Sequence, residues 1–312
     1  MHHKLAIIVP AYKADYLKET LESIVNQTDQ RFNLYIFDDA SPEKLDQIIE
    51  DTKLPSGTIC HRFDENLGQN SIVAHWDRCV KYTNNESWIW LFSDDDLMDA
   101  ECVSSFYREL DQNPEAVAFR FNTHKISDDG SLIRKNIFSD NFNAITFLNQ
   151  KLTYSQESYI VETIFSRKVY TAVDGIPDLP LAWASDDMFN VKLALKGKIK
   201  VIQDAIIYWR YSEKNISGNK NKKSSLQKLD ASRQFVRWIH QQNNVIIGLK
   251  PNDLAIRWYI RQIRTFTNNI NLLDELVAVI RLTTIDLKIW KFYFRMKWDR
   301  SKLIAWLKRS LS

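Results

Sequence analysis

The sequence predicts an α/β fold in which a mostly parallel β-sheet is flanked by helices. Two observations lead to this prediction. Short apolar segments of strand length alternate, over residues 5–92, with segments whose apolar residues recur at helical spacing. Each apolar segment also ends abruptly at proline or at polar residues. Strands that alternate with helices form βαβ crossovers, which place the strands parallel to one another in one sheet.

The first strand and the first helix are expected close to the start of the chain. The apolar run LAIIV at residues 5–9 stops at Pro10 and suits a buried strand. Leucine and isoleucine recur at helical spacing over residues 17–25, and Asp15 is a suitable N-cap for that helix.

Three further strands and two helices continue the alternation. The strands are expected at residues 34–37, 58–63 and 88–92. Pro42 suits the first turn of one helix, because a proline there gives up no helical hydrogen bond. Residues 72–80 predict the other helix.

The pattern loosens after residue 123. Residues 124–143 are polar and predict a loop or a hairpin, whereas residues 182–197 predict a helix. One or two short strands are expected at residues 199–209, and residues 212–225 form a polar stretch.

Two domains are expected from the length and the composition. The chain has 312 residues, of which 45% are hydrophobic, enough for one large domain with an appendage. The larger domain, residues 1–220, contains the alternating strands and helices, and residues 221–312 predict a basic, aromatic helical region.

The cysteines and the N-terminus indicate a cytoplasmic location. The three cysteines, at positions 60, 79 and 102, are odd in number and lack metal-ligand spacing, which fits a reducing compartment. The apolar run near the N-terminus has about six residues, too few for a signal peptide or a membrane span.

The end of the chain is strongly basic. Residues 281–312 contain nine Lys and Arg against two Asp, whereas the whole chain carries a net charge of only +3. Cations interleaved with Trp, Phe, Tyr and Leu favour a helix at an anionic membrane surface. The alternative is a helix that packs its aromatic face on the protein and exposes a basic face. No nucleic-acid recognition motif accompanies the charge.

Polar residues follow three of the first four predicted strands. These are Pro10-Ala11-Tyr12, Asp38-Asp39 and Asp94-Asp95-Asp96. Ligands of a parallel sheet bind outside the carboxyl ends of its strands, so the three groups are expected to share one rim. Adjacent carboxylates there suit Mg²⁺ or Mn²⁺, which takes oxygen ligands and completes its shell with substrate phosphates.

A structural explanation of the third acidic group stays open. Ser93 and Asp94 could cap a helix that starts near Asp99, where acidic residues meet the positive helix end. An EF-hand is disfavoured, because its sixth loop position, Asp99 when counted from Asp94, requires glycine.

Taken in order, the motifs resemble those of the family 2 glycosyltransferases, which have the Rossmann-like GT-A fold. The resemblance covers residues 4–215, roughly two thirds of the chain. It rests on IIVPAY at 7–12, LESIVNQT at 21–28, FDDAS at 37–41, ENLGQN at 65–70, HWDRC at 75–79, LFSDDD at 91–96 and SDD at 185–187.

The resemblance implies an inverting transfer from a nucleotide-activated sugar. It assigns nucleotide binding to Pro10, Ala11, Tyr12, Asp38 and Asp39, with Asp39 on the base, commonly uracil. Asp38 could instead support the loop. Asn66, Gly68 and Arg78 would shape the diphosphate side, although Gly68 could serve only as a turn residue.

The implied metal site departs from the family pattern. The family motif is Asp-x-Asp-Asp, and its first position is Ser93 here. Asp95 aligns with the main ligand of Mn²⁺ or Mg²⁺, and Asp96 is taken as the second. Asp94 is assigned to the sugar donor, although it also forms an Asp-x-Asp pair with Asp96. Ser212 stands where many relatives carry a metal-binding histidine.

The resemblance also supplies a general base. Asp187 aligns with the carboxylate that takes the acceptor's proton, and Asp186 would orient the substrate. The alternative is a plain helix start, with Ser185 as cap and two acids at the helix dipole. Trp183 is either a platform for the acceptor sugar or a core residue.

The polar stretch suggests one further hypothesis. Lys214, Lys220, Lys222 and Lys223 could close over the diphosphate, or they could be a solvated basic loop.

The implied acceptor is a lipid-linked glycan at the inner face of a bacterial membrane, in O-antigen or capsule assembly. A sugar nucleotidyltransferase is disfavoured because PAYKADY lacks the glycines of its loop. An inactive, glycosyltransferase-like binding protein remains the alternative.

Overall fold

The computed structural model describes residues 4–140, 142–212, 215–216, 218–219, 221–242 and 251–298. By their contacts the residues fall into two units. Unit 1 comprises residues 1–147 and 156–218, and unit 2 comprises residues 148–155 and 219–312. Unit 2 therefore includes a short piece of chain from well before residue 220.

The described part of unit 1 contains nine strands. They are β1 (Leu5–Ala11), β2 (Phe32–Asp38), β3 (Ile59–Arg62), β4 (Trp88–Leu91), β5 (Leu97–Met98), β6 (Ala118–Ile126), β7 (Leu132–Asn136), β8 (Thr163–Ser166) and β9 (Ile199–Arg210).

Helices separate most of these strands along the chain. They are α1 (Leu17–Val25), α2 (Leu45–Asp51), α3 (Ile72–Lys81), α4 (Cys102–Gln112), α5 (Ala144–Thr153), α6 (Arg167–Ala172) and α7 (Ser185–Ala194), with 3₁₀ turns at Ile160–Glu162 and Pro180–Ala182.

The strands form one sheet in the order β3-β2-β1-β4-β8-β6-β9-β5, with β7 paired to β6. The ladders β3-β2, β2-β1, β1-β4 and β6-β9 are parallel, and β8 runs antiparallel to both of its neighbours. The predicted fold class is confirmed. The predicted loop or hairpin at residues 124–143 contains the end of β6, the turn and β7, which form a hairpin.

Both faces of the central strand β1 are buried, because helices cover the sheet on each side. Leu5, Ile7 and Val9 join a core with α1 and α4, whereas Ala6 and Ile8 join a second core with α3 and α7. Alternate strand residues point to opposite faces, so a strand that is covered on both faces must be apolar throughout. This explains the uninterrupted apolar run.

Two predicted helix starts are wrong. The position before α1 is Tyr16, not Asp15, and no side-chain cap is formed there. Helix α2 begins at Leu45 after Lys44, three residues later than Pro42 implied. The residues between Pro42 and Leu45 contact the turn after β1 instead, since the backbone N–H of Ala14 donates to Glu43 Oε2 at 2.6 Å.

Strand β9 is a single strand with an irregularity. In the ladder with β6, Phe121 pairs with Ile202 of β9, but the next residue of β6, Asn122, pairs with Ile206. Residues 203–205 of β9 therefore bulge out of the ladder. A bulge bends a strand and strengthens its twist. The later half of β9 thereby also pairs with β5.

Unit 2 is helical in its described residues. It contains α8 (Lys222–Gln241), α9 (Pro251–Phe266), α10 (Leu272–Thr283) and helical residues 289–298. Phe235 of α8 meets Trp258 of α9 edge to face at 5.7 Å. Asn271 and Asp274 form a reciprocal capping box that starts α10. None of the helices in the described residues is both long and apolar enough to span a membrane.

A buried ion pair lies in the core of unit 1. The guanidinium of Arg120 on β6 pairs with Glu162 Oε1, and neither side chain is exposed. Ser158 Oγ donates to the same oxygen at 2.9 Å, and the guanidinium lies 3.8 Å from the ring centroid of Phe138. Burial lowers the pKa of Arg120, although the charge of Glu162 opposes this.

We expect Glu162→Gln to lower the free energy of unfolding by about 3 kcal/mol, because it leaves the Arg120 charge buried without an opposite charge. Urea unfolding followed by tryptophan fluorescence measures this change. Glu115→Gln is the matched control, since Glu115 pairs with Lys198 at 3.0 Å on the surface and should cost under about 1 kcal/mol.

The double variant Arg120→Met/Glu162→Gln should recover most of the loss, because it removes both charges. An equal loss in the single and double variants would show that packing, not charge, makes the site sensitive.

Candidate active site

Three parallel strands end at one edge of the unit 1 sheet. The register places Ala11 of β1 beside Asp38 of β2, and beyond the ladder the N–H of Asp39 donates to the Ala11 carbonyl at 3.0 Å. On the other side of β1, the N–H of Phe92 donates to Ile8 at 2.8 Å. This rim brings together the groups that follow the three strands: Pro10, Ala11, Tyr12, Asp38, Asp39, Asp94, Asp95 and Asp96.

Asp94 fixes the turn that follows β1. Its Oδ2 accepts the backbone N–H groups of Tyr12 and Lys13, both at 2.8 Å. Burial, followed by the charge of Asp95, raises the pKa of Asp94 to about 6. The capping alternative for Asp94 is wrong, because α4 begins only at Cys102, and Leu97 and Met98 form β5 in between.

Asp95 faces a cation. Its Oδ2 accepts a hydrogen bond from Lys13 Nζ at 2.5 Å, and the same ammonium donates to Asn215 Oδ1 at 2.8 Å. Lys13 Nζ also lies 3.8 Å from Asp94 Oδ1. Burial lowers the pKa of Lys13, but the charges of Asp94 and Asp95 outweigh it, so the net shift is upward. Lys13 was not predicted from the sequence, although a lysine two residues after a strand end is a visible signal.

Asp96 is oriented toward β9. It is fully buried, its Oδ1 accepts the N–H of Arg210 at 2.7 Å, and its carbonyl accepts the hydroxyl of Thr20 at 2.9 Å. Its Oδ2 has no hydrogen-bond partner within the described part of the chain. Burial raises the pKa of Asp96 well above its ordinary value. Asp95 and Asp96 therefore have different environments although they are adjacent in sequence.

Asp39 holds the loop that carries Asn66 and Gly68. Its two oxygens accept the N–H groups of Leu67 at 3.0 Å and Gly68 at 2.8 Å, and Arg78 of α3 pairs with it. A Cβ on Gly68 would lie 2.5 Å from Asp39 Oδ2. Gly68 is therefore required for close approach to the carboxylate. Asn66 Oδ1 accepts the N–H of Gln69 at 2.8 Å, which tightens the same loop.

His75 belongs to this cluster and was not identified from the sequence. Its Nδ1 accepts from Arg78 Nε at 3.2 Å and lies 3.3 Å from Asp39 Oδ1. Burial lowers the pKa of His75 to about 4, although the charge of Asp39 opposes this. Its position in HWDRC, one helical turn before Arg78, was the available signal.

Asp38 supports the loop that follows β2. Its Oδ1 accepts the N–H of Ser41 at 2.7 Å, and its Oδ2 pairs with Arg62 of β3. Ala40 has φ +52°, a left-handed conformation that is unusual for alanine and needs such support. This geometry fits the alternative in which Asp38 is a structural residue.

Asp187 lies in the first turn of α7 and is buried. Its N–H donates to Asp186 Oδ1 at 2.8 Å. The alternative in which Ser185 caps the helix is wrong, because Ala184 occupies the N-cap position and Ser185 Oγ accepts the N–H of Leu179 at 3.3 Å. Trp183, three residues before Asp186, is half-buried.

Strained backbone leads into α7. Leu181, Ala182 and Ala184 have φ values of +59°, +51° and +64°. Such non-glycine conformations cost about 1–3 kcal/mol each and occur preferentially at functional sites. They set the direction of the backbone at the start of α7, which carries Asp186 and Asp187. No sequence pattern indicated them.

The lysine hypothesis is only partly covered by the structure. Lys214 and Lys220 lie outside the described residues. Lys222 is in the first turn of α8 in unit 2 and pairs with Asp274 at 2.8 Å, and Lys223 follows it. Ser212 is buried, and its carbonyl accepts the N–H of Asn215 at 3.1 Å.

The rim does not form a closed metal cage. Within the described ranges, no group of three or more His, Cys, Asp or Glu side chains is arranged to hold a metal ion. The Asp95 carboxylate is an oxygen donor set at the rim, where it contacts the Lys13 ammonium. It fits a cation whose remaining ligands come from water and substrate phosphates.

The model of the glycosyl transferase family 2 matches residues 6–171, more than half of the chain. The chain belongs to this family. It is therefore a glycosyltransferase, as its motifs predicted.

Solved structures show the GT-A fold. The structure of S. aureus TarS 1-349 in complex with UDP-GlcNAc is similar with a TM-score of 0.60 at 16% identity, over 93% of this chain and 89% of that one. The mannosyltransferase PcManGT from Pyrobaculum calidifontis, in complex with GDP-Man and Mn²⁺, is similar with a TM-score of 0.54 at 14% identity. That match covers 100% of this chain and 88% of the other. The predicted GT-A fold is confirmed.

We expect the stability that His75 contributes to be lost in acid. The unfolded imidazole has a pKa of about 6.5 and the folded one about 4. The contribution is therefore fully present above the unfolded pKa and disappears as the pH falls through the folded pKa. The difference in unfolding free energy between the wild type and His75→Gln should shrink by about 2–3 kcal/mol over this window.

Urea unfolding at a series of pH values measures this difference. His61→Gln, which removes an imidazole from β3 instead of the Asp39 cluster, is the control. A wild type and a His75→Gln variant with parallel pH profiles would contradict the expectation.

Proposed function

We propose that this glycosyltransferase moves a sugar, with inversion, from a nucleoside-diphosphate sugar, in the first instance a UDP-sugar, to a hydroxyl group of a glycan. The observation that carries the proposal is the pair of Asp95 and Lys13 at the carboxyl end of β4. The buried Asp95 carboxylate is paired with the Lys13 cation at the carboxyl ends of the strands, where ligands of parallel sheets bind. The TarS structure holds UDP-GlcNAc, which supports the choice of donor.

The nucleotide is proposed to lie between the β1 turn and the loop at residues 65–68. The β1 turn contains Pro10, Ala11 and Tyr12, and Asp94 holds it by accepting the N–H of Tyr12. Asp39 holds the opposite loop through Leu67 and Gly68. In this proposal Asp38, Asp94 and Asn66 shape the pocket through the backbone, and Arg78 contributes positive charge on the diphosphate side.

A divalent cation, Mn²⁺ or Mg²⁺, is proposed to be held by Asp95 and the sugar-donor phosphates. When bound, it would neutralise negative charge on the diphosphate as the sugar leaves. The orientation of Asp96 toward Arg210 favours Asp95 as the direct ligand, with Asp96 holding the end of β4 against β9. The PcManGT structure contains Mn²⁺, which supports this cofactor class.

Asp187 is proposed as the general base. It would take the proton of the acceptor hydroxyl while that oxygen attacks the anomeric carbon. Asp186, which accepts the N–H of Asp187, would orient it. Trp183 would provide an apolar platform for the acceptor sugar. The left-handed residues before α7 support this assignment, because they fix the backbone at the start of the helix.

The acceptor is proposed to be a lipid-linked glycan in O-antigen or capsule assembly, at the inner face of the bacterial membrane. Support comes from the surface of unit 2. Leu287, Phe294 and Trp298 expose 74%, 62% and 62% of their surface. Exposed cations lie among them, at Lys288, Lys291 and Arg295. Apolar and basic side chains on one segment suit an anionic lipid surface.

The second candidate is an inactive, glycosyltransferase-like binding protein. Ser93 and Ser212 at two metal-associated positions favour it. Turnover separates the two functions, because only the enzyme releases free nucleoside diphosphate from a sugar donor.

We expect the wild type to release nucleoside diphosphate from a UDP-sugar, with transfer of the sugar to water or to an added glycan, in the presence of Mn²⁺ and not in EDTA. Asp187→Asn should lower kcat about 10²–10⁴-fold, because the base is lost, while the affinity for the sugar donor is retained. Asp178→Asn, which changes an exposed carboxylate shortly before α7, is the control. A panel containing UDP-GlcNAc, UDP-glucose and GDP-mannose identifies the donor class.

Binding of the panel without any release of diphosphate would favour the inactive binding protein. Full activity of Asp187→Asn would remove Asp187 from its proposed role.

We expect the full chain to bind vesicles that contain phosphatidylglycerol and not vesicles of phosphatidylcholine alone. Changing Lys288, Lys291 and Arg295 to glutamine should weaken binding about a hundredfold, since each cation contributes about 1 kcal/mol. The control changes three exposed lysines of unit 1, Lys18, Lys44 and Lys53, to glutamine. Vesicle sedimentation provides the measurement, and equal effects of both triple variants would argue against a surface in unit 2.

A further inference from the structure

We propose that Lys13 is the resident counter-ion of the sugar-donor site: its ammonium neutralises Asp95 while the site is empty and moves to a diphosphate oxygen when the metal and the sugar donor bind. The inference rests on the proposed function. It adds to this site a residue, Lys13, that lies outside the motifs from which the site was predicted. Lys13 is thereby a positioning residue for Asp95 and a ligand of the diphosphate.

The resting position of the ammonium is defined by three oxygens. Lys13 Nζ lies 2.5 Å from Asp95 Oδ2, 2.8 Å from Asn215 Oδ1 and 3.8 Å from Asp94 Oδ1. Asn215 is itself held, because its Nδ2 donates to the Arg210 carbonyl at 2.9 Å. The ammonium therefore lies in a built position at the rim.

A metal on the same carboxylate oxygen would compete with the ammonium in this position. A Mg²⁺ ion binds carboxylate oxygen at about 2.0–2.1 Å, and two cations so close to each other repel strongly. A metal on Asp95 Oδ2 would therefore favour displacement of the ammonium from that oxygen. Lysine suits such a movement, because its charge is compact and lies at the end of a flexible four-carbon stem.

The base of the Lys13 side chain stays at the rim during this movement. The backbone N–H groups of Tyr12 and Lys13 are both held by Asp94. The side chain is also 29% exposed, against 8% for Asp95, so the ammonium has a solvent-facing path. Only the flexible stem has to turn for the charge to pass from the carboxylate to a neighbouring anion.

The diphosphate needs this charge most when the sugar leaves. The bond between the anomeric carbon and the terminal phosphate oxygen breaks, and its electron pair stays on that oxygen. The acceptor oxygen forms the new bond to the anomeric carbon, and its proton goes to Asp187. The diphosphate thereby gains one negative charge, which a transferred ammonium would offset at the site itself.

The test measures Mn²⁺ binding without nucleotide, from the electron paramagnetic resonance signal of free Mn²⁺ in titrations of the full chain. Lys13→Met should bind Mn²⁺ about tenfold more tightly than the wild type, because Asp95 has lost its competing cation. Asn215→Ala should shift in the same direction by less. Lys18→Met, which removes an exposed lysine of α1, should match the wild type.

The second part of the experiment titrates UDP in the presence of saturating Mn²⁺. Lys13→Met should bind UDP about tenfold more weakly, because the diphosphate lacks the ammonium, whereas Asn215→Ala should retain wild-type affinity. This opposite pair of shifts in Lys13→Met distinguishes a counter-ion from a residue that only stabilises the fold.

The outcomes separate the two proposals. Unchanged Mn²⁺ affinity in Lys13→Met, or unchanged UDP affinity, overturns the role of Lys13 even if the wild type is an active transferase. A wild type that releases no nucleoside diphosphate from any sugar donor overturns the proposed function, while the Mn²⁺ titration still tests Lys13 as the counter-ion of Asp95.

Discussion

Five carboxylates are buried where β1, β2 and β4 end, and the surrounding structure depends on satisfying them. Asp38, Asp39, Asp94, Asp95 and Asp96 each expose 6% of their surface or less. A buried carboxylate is tolerated only when hydrogen bonds or opposite charges replace the water it has lost. Each of the five accordingly has hydrogen-bond or ionic partners within unit 1.

The partners are the features that shape the candidate ligand site. Asp94 takes two backbone N–H groups of the β1 turn, and Asp39 takes two from the loop at residues 67–68. These bonds bring two loops to the rim and set their positions. Stabilisation of the fold and construction of the site are therefore the same set of interactions, which is why acidic residues follow such apolar strands.

Asp95 is matched differently from its neighbours. Asp94 and Asp96 accept N–H groups of the backbone, which cannot leave without unfolding the local chain. Asp95 is matched by the Lys13 ammonium, which lies at the end of a flexible four-carbon side chain. The rim thus contains fixed carboxylates that hold the fold and one carboxylate whose partner is exchangeable.

Periodicity alone was sufficient for the strands at the centre of the sheet. β1 is apolar throughout because both of its faces are covered, and this pattern can be read without any tertiary information. The helix starts at Asp15 and Pro42 were predicted wrongly because tertiary hydrogen bonds outweigh local capping preference. Good capping residues occur there, but the segment between α1 and α2 forms bonds with the β1 turn, which local propensity does not register.

The sequence by itself determined the α/β class, the family and the set of carboxylates at the strand ends, because these depend on residue type and spacing along the chain. Tertiary structure decided what each carboxylate does. Lys13 reaches Asp95 across 82 residues and Asn215 across 202, and such pairings leave no local pattern. It also decided that Asp96 turns to β9, that His75 joins Asp39, and that α7 begins after left-handed residues. Orientation and burial set those roles, and both arise only when distant segments pack together.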